Sequence, residues 1–82
     1  MKAETRNIYT IDTEKTGERI KQMRKEVLHM TQAQLAKELW LSTVSVSKWE
    51  RGIVMPSLDN VMELARLFGV PVEAFVIYTE KR

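Results

Sequence analysis

Cysteine is absent from the 82 residues. That removes disulfides and thiolate metal sites together, and makes a reducing cytoplasm the expected location. The one histidine, His29, has no second histidine or cysteine with which to hold a metal ion. Three scattered glycines do not make a phosphate-cradling loop. Aromatic residues are 7% of the chain and are not interleaved with basic ones, so a platform for stacking unpaired bases is not expected. No apolar run approaches the roughly eighteen residues of a membrane span. The opening MKAETRNIYT lacks the apolar core of a signal peptide. No nucleophile stands with a histidine and an orienting acid, so no catalytic residue, metal site or cofactor is assigned and an enzyme is not expected. The expectation that remains is a binding module: one small cytoplasmic domain, 44% hydrophobic, that must build its core without covalent staples.

What is present is concentrated in residues 31–52, TQAQLAKELWLSTVSVSKWERG. Thr31 with Gln34 three residues on forms a capping box, which predicts a helix start. Leu35, Ala36 and Leu39 then give that helix one apolar face. Ser42 is the next capping candidate, for a second helix from Thr43 to Arg51. Val46 and Trp49, three apart, are its expected core residues, and Thr43, Val44, Ser47 and Lys48 are turned outward. Gly52 supplies the left-handed residue at which helices commonly stop.

Ahead of this stretch, Ile20, Met23 and Val27 recur at helical steps and predict a helix from Thr16 or Gly17 to about Glu26. Behind it, Ser57 caps a helix whose Leu58, Val61, Leu64, Ala65 and Phe68 share a face and which stops at Gly69. Val70, Pro71 and Val72 open a fifth short helix through about Phe75, with proline in the first turn. Residues 1–15 read as a flexible arm or a short strand, the strand candidate being residues 7–12, NIYTID. Residues 77–82 read as a tail or a second strand. The tripeptide Ile-Tyr-Thr occurs at both ends, and the two ends are expected to pair. Net charge is only +2, but residues 16–52 hold seven basic against four acidic residues, whereas residues 53–80 hold one against four. One half can face a polyanion while the other turns away, although solvated helix faces would give the same count.

The motifs Thr31-Gln32-x-x-Leu35-Ala36, Ser42-x-x-x-Val46-Ser47-x-Trp49-Glu50-x-Gly52 and Pro56-Ser57-Leu58 resemble the helix-turn-helix domains of phage repressor and Cro type, the XRE family. The resemblance covers residues 17–76. It implies an all-α fold, a compact five-helix lambda-repressor-like domain over residues 16–76, with room for short terminal β-strands. It implies that Thr43, Val44, Ser47 and Lys48 read base edges, that Gln32, Ser42 and Arg51 meet phosphates, and that Arg24 pairs with Glu50 to set the angle of the recognition helix. The function it implies is sequence-specific binding of double-stranded DNA at a palindromic operator, as a homodimeric transcriptional repressor.

The chain also departs from that pattern. Residues 27–30, VLHM, make the connection after helix one a residue longer than usual and without its glycine. Trp40 stands at a turn position where relatives carry glycine. Either the turn shifts its dihedrals, or burial of the indole offsets the strain, or an exposed indole marks a contact surface. Ile53, Val54 and Met55 replace the basic residues common after the glycine. They pack partly inward, the preferred reading, or join Trp40 in binding a protein, as an antitoxin-type protein or adaptor would. A role on structured RNA is a further alternative.

Overall fold

The computed structural model describes residues 8–81. Its elements are β1 (Ile8–Ile11), α1 (Thr13–Glu26), α2 (Gln32–Glu38), α3 (Thr43–Glu50), α4 (Leu58–Phe68), a single 3-10 turn (Val72–Ala74) and β2 (Tyr78–Lys81). The part of the expected arm that falls on residues 1–7, including the start of the strand candidate at Asn7, lies outside the described residues, as does Arg82.

Helix α1 begins at Thr13, earlier than the apolar spacing predicts, because Asp12 caps it: its side chain accepts from the Lys15 amide at 2.9 Å. This places Thr16 and Gly17 inside the helix, both buried. Gly17 sits where α1 meets α3, and a Cβ there would fall within the van der Waals shell of the Trp49 carbonyl oxygen. Its role is therefore close approach of two backbones. Val27, expected in the core, caps the end of α1 and is exposed.

The capping box of α2 is closed in both directions. Thr31 Oγ1 accepts from the Gln34 amide at 3.1 Å, and Gln34 Oε1 accepts from the Thr31 amide at 2.8 Å. Ile20, Leu35, Val46, Leu64 and Phe75 are completely shielded from solvent and form the centre of the core. Trp49 closes α3 over it, and Phe68 and Phe75 meet edge to face with ring centroids 5.3 Å apart. Leu58, the first residue of α4, does not share this face; it is 75% exposed.

Among the described residues the helices number four, not five. After Pro71 the chain makes only one 3-10 turn, and α1 then takes over its carbonyls. Arg19 Nη1 donates to the Ala74 oxygen at 2.9 Å and the Asp12 amide to the Ile77 oxygen at 2.7 Å. Buried Thr16 Oγ1 accepts from the Ile77 amide at 2.9 Å and donates to the Ile77 oxygen at 3.3 Å. These bonds hold Ile77 against the start of α1 and leave residues 78–81 extended. They pair antiparallel with β1, Tyr9 opposite Glu80 and Ile11 opposite Tyr78.

Candidate nucleic-acid interface

The outward face of α3 is built by exclusion. Val46, Trp49 and Glu50 are drawn into the interior, and the helical period then leaves Thr43, Val44 and Lys48 exposed, with Ser47 half-buried beside them. Val44 is exposed over 59% of its surface, high for a valine in a core-packed helix. Lys48 has no ion pair among the described residues. Ser42 caps the helix and is exposed; its Oγ lies 3.4 Å from the Ser45 amide. At the other end Arg51 Nε donates to Ser47 Oγ at 3.1 Å, which holds the guanidinium along the helix.

This face is fixed in space from beneath. Arg24 reaches from α1 to donate through Nε to Glu50 Oε2 at 2.6 Å and through Nη2 to Glu50 Oε1 at 2.9 Å. A third bond runs from Arg24 Nη1 to the Met30 carbonyl at 2.7 Å, tying down the α1–α2 connection. Both members of the pair are buried. The hydrogen bond to Glu50, aided by its charge and opposed by burial, raises the Arg24 pKa above its ordinary value. Gln32 Nε2 also donates to Glu50 Oε1 at 2.9 Å. Glu50 thus joins α1, α2 and α3 through one carboxylate. The Gln32 bond has no counterpart in the sequence reading, because spacing along α2 carries no information about a partner eighteen residues away.

Three of the helices end alike. In α3 the Gly52 amide bonds the Trp49 oxygen at 3.0 Å and the Ile53 amide bonds the Lys48 oxygen at 2.9 Å. In α4 Gly69 and Val70 make the corresponding bonds to Arg66 and Ala65. In α2 they run from Trp40 to Lys37 at 3.2 Å and from Leu41 to Ala36 at 2.8 Å. Each closes a Schellman motif around one left-handed residue. That residue is glycine in two of them, at φ 73° and 71°, and Trp40 in the third, at φ 60°. Of the three outcomes open for Trp40, the dihedrals are not shifted and burial does not offset the strain, since the residue is 94% exposed. His29 takes φ 54° in the α1–α2 connection, again exposed.

Ile53 and Val54 are exposed over 54% and 44% of their surface, and only Met55 of the three is half-buried. Among the described residues there is no cluster of side chains able to hold a metal ion, and no helix long and apolar enough to cross a membrane.

Residues 20–75 match a helix-turn-helix family model. Over 51 residues, 62% of its length, the chain is 49% identical to the HTH-type transcriptional regulator DicA of Escherichia coli (strain K12), covering 37% of that protein. Over 56 residues, 68% of its length, it is 38% identical to repressor protein C2 of Salmonella phage P22, covering 26% of it. The chain thus spans well under half of these relatives. The P22 c2 repressor in complex with a synthetic operator superposes with a TM-score of 0.70 at 33% identity, over 78% of this chain and 96% of that one.

Proposed function

The chain belongs to the helix-turn-helix family of phage repressor and Cro type, and from that premise we propose that it binds double-stranded DNA sequence-specifically and regulates transcription as a repressor. The observation that carries this reading is the outward face of α3, where Thr43, Val44 and Lys48 are exposed on a helix whose orientation is locked by a buried ion pair. Thr43, Val44, Ser47 and Lys48 are assigned to base edges. Lys48 suits guanine O6 and N7, and Val44 or the Thr43 methyl suits a thymine methyl. Gln32, Ser42 and Arg51 are assigned to phosphates. Gln32 gives one amide hydrogen to Glu50 and keeps a second for this role. No catalytic step, cofactor or metal enters the reading, and a cytoplasmic location follows from it.

One recognition helix offers only a few base contacts, so a palindromic operator bound by a homodimer, with recognition helices about 34 Å apart, supplies the missing selectivity. Selection of duplexes from a random pool tests the reading: an enriched palindrome is expected, and a pool that stays random overturns it. A second reading draws support from the exposure of Trp40, Ile53 and Val54, which suits an antitoxin-type protein or adaptor with a protein partner. It predicts weak duplex binding by the chain alone.

A further inference from the structure

Trp40 combines two costs that nothing within the described chain relieves. It holds a left-handed backbone where the same motif in α3 and α4 uses glycine, and it exposes 94% of a large apolar surface. Strain of this kind persists at sites of function. Its place in the chain points to the partner. Trp40 lies two residues before Ser42, the cap of α3. Three residues of chain reach no more than about 11 Å, so Trp40 lies within that distance of Thr43, a span comparable with the roughly 12 Å width of a major groove. Its exposed sequence neighbours Lys37, Glu38, Ser42 and Thr43 are all polar. Of the other exposed apolar residues of this region, Val44 lies on the outward face of α3, and Ile53 and Val54 follow the opposite end of that helix, which is about 12 Å long. Among the near sequence neighbours of Trp40 the one exposed apolar residue is thus Val44, itself assigned to a base edge, and Trp40 lacks the contiguous apolar patch that the core of a protein interface needs.

We infer that Trp40 is a DNA-contact residue whose indole packs on the deoxyribose of the strand bordering the N-terminal end of α3. The inference rests on the DNA-binding reading and adds to it an uncharged contact, independent of base sequence. Such a contact raises affinity for all duplexes alike and leaves the salt dependence, which counts neutralised phosphates, unchanged.

The test is Trp40→Gly, with Trp40→Phe as the conservative variant, in the 82-residue chain and on the duplex enriched by the wild type. Glycine relieves the left-handed strain, so the thermal midpoint is expected to rise by about 4 °C or more. Affinity is expected to fall about tenfold at every base sequence with an unchanged salt slope, and phenylalanine is expected to recover part of it. Trp49 is only 4% exposed, so iodide quenching reports Trp40, and duplex is expected to protect it. Unchanged affinity in Trp40→Gly overturns the inference and leaves Trp40 to a protein partner. A lower midpoint overturns it in favour of a structural role, and a changed salt slope in favour of an indirect effect on phosphate contacts. A wild-type chain that enriches no duplex sinks the DNA reading and this inference together, whereas intact binding by Trp40→Gly sinks the inference alone.

Discussion

Glu50 is the residue at which three helices meet, and its two oxygens are divided among Arg24 Nε, Arg24 Nη2 and Gln32 Nε2. Removing Arg24 strands a buried carboxylate, so Arg24→Met is expected to cost roughly 3–5 kcal/mol. Removing Glu50 as well takes away the stranded charge, so the double variant Arg24→Met with Glu50→Leu is expected to be more stable than the single one. Urea denaturation of the three proteins decides it; a double variant no more stable than Arg24→Met would mean the pair does not act as a unit. Lys48 works at the same scale on the opposite face of the helix. Its side chain is exposed, so Lys48→Ala should leave the fold intact, cost about 1–3 kcal/mol of binding and relax one operator position. Equal loss at all sequences would reassign Lys48 to phosphate. The sequence was legible here wherever burial or exposure follows from helical period, as for the buried Val46 and Trp49 and the exposed Thr43, Val44 and Lys48. It was silent on Gly17, whose use is an approach to a carbonyl 32 residues away, and on the inward bond of Gln32.

At the scale of elements, what was local could be read and what was tertiary could not. Thr31, Ser42 and Ser57 cap the helices assigned to them, because a cap and its target amide lie within three residues. The fifth helix failed because its segment, although suited to a helix start, is held open by bonds from α1. The key to those bonds is Thr16, completely buried and bonded twice to Ile77 from 61 residues away. Thr16→Val keeps the shape and removes both bonds, leaving the Ile77 amide unpaired. The expected cost is about 1–3 kcal/mol, with faster hydrogen exchange at the Ile77 amide and along β2 while the exchange of α2 and α3 is unchanged. Uniform acceleration throughout the domain would show instead that the terminal sheet and the helical core open as one unit.

At the scale of the molecule, the longest dimension is 46 Å against 24 and 21 Å, and the sheet makes no extensive contact with any helix. Two isolated strands are marginal in water and ordinarily need a further layer. Tyr9 and Ile11 alternate onto one face of this sheet, opposite Glu80 and Tyr78. Tyr9 and Tyr78 meet edge to face at 5.5 Å, and Tyr9, Ile11 and Tyr78 are all more than 40% exposed. β1 carries no charged residue among its four, so nothing in it repels a second copy of itself, as edge strands that must stay unpaired commonly do. These features make the terminal sheet the expected two-fold contact of the proposed dimer. Deleting residues 1–11 while keeping Asp12, the cap of α1, and separately replacing Tyr9→Ser with Tyr78→Ser, should each shift the chain to monomer in sedimentation. Binding to a palindrome should weaken far more than binding to a half-site, because only the palindrome draws on both recognition helices at once. A shortened chain that still dimerises and holds its palindrome as tightly would move the two-fold contact to the segment of Val72, Phe75 and Val76, and leave the sheet as an extension of the fold with another task.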